Sequence, residues 1–341
     1  MPLFIVENDI TKMDTECIVI SADVSLKPTG GMSTEFYNAV KEPKNLIKEC
    51  ERIGFCGGCE CVTTHSYGLP CKYVIHAVAP IFADSKSKAE EYLLTCYKNA
   101  IYMARRKMFE SLAIPLLGTG KKGYSKEMSL RLALQAITEY LSKYDMSIYL
   151  VVHNKSSFKP DVKLISSVES YLSKNYTGNG LQGFESVSTY ANSFIYDVCT
   201  DSAVNYIGAE CKTMLNDKEQ NIKSESADIV NFPAILKNVL KKYSVKFGKT
   251  YRSANIEKSA FERLKSNEDK IPDKEVVLAL AVALQMSINT AEQFCAESGY
   301  SLTHNKQDTI VRYFLENKIY NIHMVNQMLF YFDKGQLGTL I

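Results

Sequence analysis

Over the first half of the chain, short apolar runs rich in β-branched residues alternate with longer amphipathic stretches. No other feature constrains the fold as strongly. Leu3 to Val6, Cys17 to Ile20, Tyr73 to Val78, Leu112 to Leu117 and Ile148 to Val152 read as buried strands. Helical patterns lie between them and are placed by their ends. Pro43 opens one, Tyr92 to Met108 carries Leu93, Cys96, Tyr97 and Ala100 on one face, and Ser125 caps a third that runs through Leu141. Such a sequence predicts an α/β fold, with a mixed sheet covered by helices in three α/β/α layers.

The alternation stops near residue 175. Three glycines fall between Thr177 and Gly183, and Asn216 to Asp228 is polar and charged, so residues 176–230 read as a linker. The stretch Tyr190 to Leu215 inside it is apolar enough to be ordered, without a clear period. From Phe232 to about Phe332 only short helical patterns remain, five to seven of them, and residues 231–341 are expected to form an all-α domain. Its centre is Val276 to Met286, apolar nearly all round and introduced by Pro272 and Asp273. Ser287 can cap the next helix and Gly299 can end it.

Composition narrows the function classes. Lys plus Arg (40) nearly cancels Asp plus Glu (38), so the net charge of +2 gives no global case for coating nucleic acid or a membrane. The first 11 residues lack a signal-peptide pattern, and no run approaches the roughly 18 apolar residues of a membrane span. The expected address is the cytoplasm, with no membrane partner. The ten cysteines then read as reduced thiols.

Two glycine-containing loops each follow an expected strand and precede a helical pattern. The first is Pro28-Thr29-Gly30-Gly31; the second is Gly118-Thr119-Gly120-Lys121-Lys122-Gly123. Backbone N–H groups in such loops, with a helix N-terminus behind them, can clasp a phosphate or diphosphate, although tight turns alone use glycine equally well. Gly118, Gly120 and Gly123 spell GxGxxG, but several strands precede them, and Glu139 falls within a helical pattern instead of at a strand end. A P-loop fails as well, because Tyr124 and Ser125 follow Gly123.

Three ordered motifs resemble the macro domain family of ADP-ribose-binding modules. Asn8-Asp9-Ile10-Thr11 is similar to the family's opening Gly-Asp-Ile-Thr. Tyr73-Val74-Ile75-His76-Ala77-Val78-Ala79-Pro80 is similar to its Tyr-Val-Ile-His-Thr-Val-Gly-Pro strand, and Gly118 to Tyr124 stands where the family has Ser-Thr-Gly-Ile-Tyr-Gly-Phe. The resemblance implies that Asp9, beside Ile10, accepts from an adenine amino group. It also implies that Gly30, Gly31, Met32 and Ser33 form the first diphosphate loop and Gly118, Thr119, Gly120, Lys121, Lys122 and Gly123 the second. Tyr124 would lie against the distal ribose and His153 beside the adenine. Both usual catalytic positions differ. Ile20-Ser21-Ala22-Asp23 replaces Asn-Ala-Ala-Asn, and Ser33 replaces the acidic residue after Gly-Gly-Val. Asp23 can accept from ribose hydroxyls but cannot donate, and it is the one candidate left to activate a water. Lys121 and Lys122 replace an apolar and an aromatic residue and can neutralise a diphosphate.

Other candidate sites are weaker. Cys56, Cys59 and Cys61, with His65 and Cys71 nearby, suggest zinc, but no second spaced pair accompanies them. No metal and no cofactor is called for. His76, on an otherwise apolar strand, reads as a hydrogen-bonded structural histidine.

In the second domain, helical segments at Lys249 to Ala254 and Ile256 to Ser266 flank a break at Asn255, which can cap the second. Together with Ile271-Pro272 and the apolar helix, they resemble phage-repressor-type helix-turn-helix domains. That resemblance implies Glu257, Lys258, Ser259 and Glu262 at a DNA groove and Lys241, Lys242, Lys246, Lys249 and Arg252 on phosphates. From Lys237 to Lys270 ten basic residues stand against four acidic, a local surplus of about +6 that the whole-chain charge hides. A helical bundle contacting protein through a solvated basic face fits the same pattern. Three functions follow: binding of ADP-ribose, free or on a modified target, coupled to a helical regulatory domain; a mono-ADP-ribosyl hydrolase; or a DNA-binding regulator with a degenerate first domain.

Overall fold

The run Cys17-Ile18-Val19-Ile20 has no polar face, so its strand must lie between two covering layers. The computed structural model describes residues 2–29, 31–176, 231–245, 247–266 and 271–338. Among them, β1 (Leu3–Glu7), β2 (Cys17–Ser21), β3 (Cys61–His65), β4 (Tyr73–Ala77), β5 (Ser111–Pro115) and β6 (Ser147–Val152) form one sheet in the order β1-β6-β5-β2-β4-β3. Every pair is parallel except β3 with β4, which makes the sheet mixed as expected. β3 lay outside the expected strands. It is a partly exposed edge with threonines at its centre, so it lacks the apolar run that marks the others.

Helices α1 (Met32–Ala39) and α2 (Pro43–Ile53) cover one face, packing Phe36, Leu46 and Cys50 with Ile18, Ile20 and Val74. After the short α3 (Phe82–Ser85), α4 (Ala89–Arg106) and α5 (Lys126–Leu141) cover the other, with Leu93, Cys96, Tyr97 and Ala100 against Val19, Ile75 and Ile114. Ser125 caps α5 as expected, accepting from the Met128 N–H at 3.1 Å. His76 is buried and bonded to Thr64 Oγ1 at 2.9 Å, a structural role.

The helical half comprises α7 (Phe232–Lys242), α8 (Phe247–Ser253), α9 (Lys258–Ser266), α10 (Lys274–Ala283), α11 (Ile288–Glu297), α12 (Lys306–Glu316) and α13 (Ile322–Tyr331). α10 is its axis, buried at every position from Val276 to Val282. Ser287 caps α11, and Gly299 follows it at φ +84°. α6 (Val162–Asn175) precedes the expected boundary, yet its Val168 and Leu172 sit in this second core, and Tyr171 OH donates to Glu316 at 2.7 Å. Its amphipathic period shows that one face is buried, not which half buries it. Of the expected linker, residues 176–230, all but Tyr176 lies outside the described residues.

Asp308, 1% exposed, accepts from Lys274 Nζ at 2.6 Å and from the Thr303 N–H and Oγ1 at 2.7 Å each. Asp308→Ala would leave the Lys274 ammonium without its partner, and a loss of about 3–5 kcal/mol in urea unfolding is expected.

The two halves meet along β1, the edge left open by the sheet order. In place of a neighbouring strand, two side-chain amides pair with the backbone. Asn255 accepts from the Leu3 N–H at 2.8 Å and donates to the Leu3 carbonyl at 3.1 Å; Gln336 does the same to Ile5 at 3.1 and 2.8 Å. Asn255 takes φ +57°, which asparagine tolerates better than most residues, and it does not cap α9 as the sequence suggested. Below this edge, Arg252 donates to both oxygens of Asp145 from Nε and Nη2, at 3.0 and 3.1 Å, and Tyr251 OH adds bonds to the same carboxylate. Burial opposes charge on Asp145, but the hydrogen bonds from Arg252 and Tyr251 outweigh it and hold its pKa below the ordinary value. Above the edge, Phe330 meets Phe158 edge-on at 4.9 Å and Asp333 pairs with Lys155.

Candidate ligand-binding site

In open α/β sheets the crevice for a ligand opens at the carboxyl ends of the strands, where the strand order reverses. Here β4 lies on one side of β2 and β5 on the other, so the switch point lies at β2 and β5. The loops after these two strands are the two glycine-containing loops. Along the same sheet end, Asp9 follows β1 and His153 follows β6. Asp9, Met32, Glu35, Thr119, His153 and Ser157 line one crevice.

Gly31 takes φ +58° immediately before α1, and no side chain caps that helix. Its first-turn amides are left for an outside acceptor or water, the condition for anion binding at a helix N-terminus. Gly30 lies outside the described residues. Gly118 and Gly123 also take positive φ, +78° and +82°, and a Cβ on Gly118 would come within 2.7 Å of the Tyr124 ring. Gly120 differs, because a Cβ there meets nothing within 4 Å and the position is open.

A closed ring of hydrogen bonds fixes the root of the second loop. The Leu117 N–H donates to Tyr97 OH at 2.7 Å, Tyr97 OH contacts Ser129 Oγ at 2.6 Å, and Ser129 Oγ donates to the Leu117 carbonyl at 2.8 Å. Both polar backbone groups of the residue before Gly118 are thereby held. Sequence reasoning saw Tyr97 only as one apolar position of a helix face, and nothing in its spacing distinguishes the hydroxyl.

The lysines of the second loop reach across to the first. Lys121 Nζ donates to the Thr29 carbonyl, and Lys122 Nζ stands 3.9 Å from Asp23 Oδ2. Asp23 Oδ1 also accepts from the Ser25 N–H at 3.2 Å and Oγ at 3.1 Å. Ser33 is buried, and Tyr124 is buried beneath the loop, edge-on to Phe82 at 5.4 Å. Asp9 Oδ1 accepts from the Thr11 N–H at 2.9 Å and Oγ1 at 2.7 Å. Burial disfavours its charge, but the Thr11 hydrogen bonds, with Lys12 and His153 nearby, prevail and hold its pKa below the ordinary value. Ile10 is buried behind it. Glu35 and Ser157 were not singled out from the sequence; no motif marks them, and their place follows only from α1 and the turn after β6.

The residues proposed for DNA fall in two groups. Lys241, Lys242, Lys249 and Lys258 are exposed, Lys258 standing 4.0 Å from Glu262 on the same helix. Arg252 is committed to Asp145, and Asn255, in the turn before α9, is buried against β1. A surplus of lysine and arginine shows charge without showing which carboxylate a given side chain will find. Lys246 lies outside the described residues. Among the described residues, no three His, Cys, Asp or Glu side chains gather to hold a metal ion, and no helix is long and apolar enough to cross a membrane.

An α/β module whose glycine loops and uncapped helix N-terminus converge on the switch point of a mixed sheet belongs to the class suited to phosphate-bearing ligands. Residues 19–133 match the Macro domain family. A macro domain-containing protein of Methanosarcina mazei is 32% identical over 166 residues, which are 48% of this chain and 88% of that protein. An O-acetyl-ADP-ribose deacetylase of Cronobacter turicensis is 28% identical over 160 residues, 45% of this chain and 90% of its own. The solved Oceanobacillus iheyensis macrodomain with ADP shares 32% identity at a TM-score of 0.41, covering 43% of this chain and 80% of that one. The chain belongs to the macro domain family.

Proposed function

We propose that the first half binds ADP-ribose, free or carried on a modified macromolecule, and that the helical half is built onto it as a regulatory or interaction unit. The observation that carries this reading is the convergence of the second glycine loop, the open N-terminus of α1 and Lys122 on the switch point. The diphosphate would take the loop amides. The adenine amino group would donate to Asp9 Oδ2, since Oδ1 is occupied by Thr11, with the His153 ring alongside.

Binding without turnover is the form the residues favour. Ser33 is buried where hydrolytic relatives would carry an acid, and Asp23 is engaged by Ser25 and Lys122. The relative named as a deacetylase keeps hydrolysis as the second reading. A DNA role loses Arg252 and the α8–α9 turn to the junction.

Gly120→Glu tests the binding. Its position is open, so the fold should survive while a carboxylate enters the diphosphate site. In calorimetric titration ADP-ribose is expected to bind saturably and more tightly than AMP or NAD, with at least about a hundredfold loss in the variant. No heat from the unaltered chain at millimolar ADP-ribose overturns the proposal. Release of ADP-ribose from a mono-ADP-ribosylated protein, abolished by Asp23→Ala, would establish the hydrolase instead.

Tyr97→Phe probes the support beneath the loop. It leaves the buried Leu117 N–H unpaired, and a stability loss of about 1–3 kcal/mol together with weaker ADP-ribose binding is expected. Unchanged affinity would show that the hydroxyl ring does not position the loop.

A further inference from the structure

Beyond Asp23, the sheet order continues to β4 and β3, and the loops at that end carry apolar side chains that the fold leaves exposed. Val24 is 37% exposed, Phe55 68% and Ile81 45%. Backbone hydrogen bonds place the loops of all three at the carboxyl end of β2 and β4, next to Asp23 and the second glycine loop. The Cys56 N–H donates to the Val24 carbonyl at 3.0 Å, which sets Phe55 beside Val24. The Phe82 N–H donates to the Lys122 carbonyl at 2.8 Å, which sets Ile81 beside the second glycine loop. Cys59 N–H to the Val78 carbonyl, at 2.8 Å, ties the loop of Phe55 to the strand end that leads into Ile81.

Two of the carboxylates in these loops are already engaged. Lys122 faces Asp23, and Glu60 accepts from the Gly57 N–H at 2.8 Å. An apolar group arriving at these three side chains meets apolar surface. Exposed apolar side chains grouped in one region mark an interaction surface more often than the same residues scattered singly.

We infer that Val24, Phe55 and Ile81 form the docking surface for the polypeptide that carries the ADP-ribose, and that they select targets with an apolar residue next to the modified one. The inference rests on the ADP-ribose reading. With the adenine at Asp9 and His153, the far end of the ligand lies at Asp23, so whatever is attached there passes over this rim. Nearness to Asp23 and the second glycine loop identifies the occupant: the acceptor is held by its ligand on one side and by apolar contact on the other.

The test compares three probes on the full chain: free ADP-ribose, a synthetic peptide ADP-ribosylated on one residue flanked by leucines, and the same peptide flanked by glycines. The leucine peptide is expected to bind about tenfold tighter than the other two, a gain typical of one or two buried anchors. Phe55→Ser with Ile81→Ser should erase that gain and leave the affinity for free ADP-ribose unchanged, which also shows that the variant is folded. Should the double variant lose ADP-ribose binding as well, Phe55→Ser alone decides, since that ring is mostly in solvent. Equal affinity for all three probes, or a gain that survives the substitutions, overturns the docking surface and leaves the ADP-ribose reading standing. Absence of binding by every probe overturns both. Dissociation of a dimer by Phe55→Ser, seen in sedimentation, would assign the rim to a second copy of the chain and overturn the inference.

Discussion

Asn255→Ala is expected to destabilise the chain by about 3–5 kcal/mol, because the side chain satisfies three buried backbone groups at once: the Leu3 N–H, the Leu3 carbonyl and the Leu337 carbonyl. The two Leu3 groups would be left dry and without a partner, while the Leu337 carbonyl keeps the Asn326 amide at 2.9 Å. Alanine also tolerates φ +57° poorly, at about 1 kcal/mol or slightly more. Asn255→Gly separates the two contributions. It removes the amide but suits the backbone, so it should recover about 1 kcal/mol of the loss and no more. Gln336→Ala, at a half-buried site that water can reach, should cost only about 1 kcal/mol. Urea unfolding followed by far-ultraviolet circular dichroism measures all three. A loss below about 1 kcal/mol for Asn255→Ala would mean that the amide does not hold the β1 edge.

Acidification from pH 6.5 to 4 is the second large effect. His76 is buried and His323 is half-buried with its Nδ1 enclosed, and loss of solvent pushes both imidazoles down to about 4. In the unfolded chain they titrate near 6.5, so between these values the unfolded state binds more protons than the folded one. Stability is therefore intact above about pH 6.5 and falls as the pH drops towards 4, on the order of 3 kcal/mol for each histidine. The carboxylates of Asp9 and Asp145 act in a lower window, because their folded values lie below the ordinary carboxylate range. His323 Nδ1 finds no partner among the described residues, so His323→Leu removes one titration without orphaning a bonded neighbour. Its stability should fall about half as steeply over that range. A slope equal to that of the unaltered chain would place the acid sensitivity elsewhere.

The parallel strands were legible because a strand buried on both faces must be apolar throughout, and Cys17 to Ile20 or Ile148 to Val152 can hardly be read otherwise. β3 was not, since an edge strand is free to be polar. The glycine loops could be located from their strands, and Asp9, Thr119 and His153 do line one crevice. What the sequence could not supply was pairing. Arg252 looked like a phosphate ligand, but the carboxylate it found lies 107 residues earlier in the chain. Asn255 looked like a helix cap, and its amide serves a strand 252 residues away. Tyr97 and Ser129 show the same limit, because a hydroxyl on an apolar helix face announces nothing until the loop it holds has been placed.

The pairing of Asn255 and Gln336 with β1 bears on how far the chain can be divided. A fragment ending at Tyr176 would keep the whole sheet, yet it would present the outward N–H and C=O groups of Leu3 and Ile5 to solvent along a free edge. It would also strand the apolar face of α6, whose Val168 and Leu172 sit in the core of the helical half. Such a fragment invites strand-to-strand pairing with its own copies. The helical half is thus the sheet's lateral seal as well as its neighbour, and the two parts of this chain are not interchangeable cassettes.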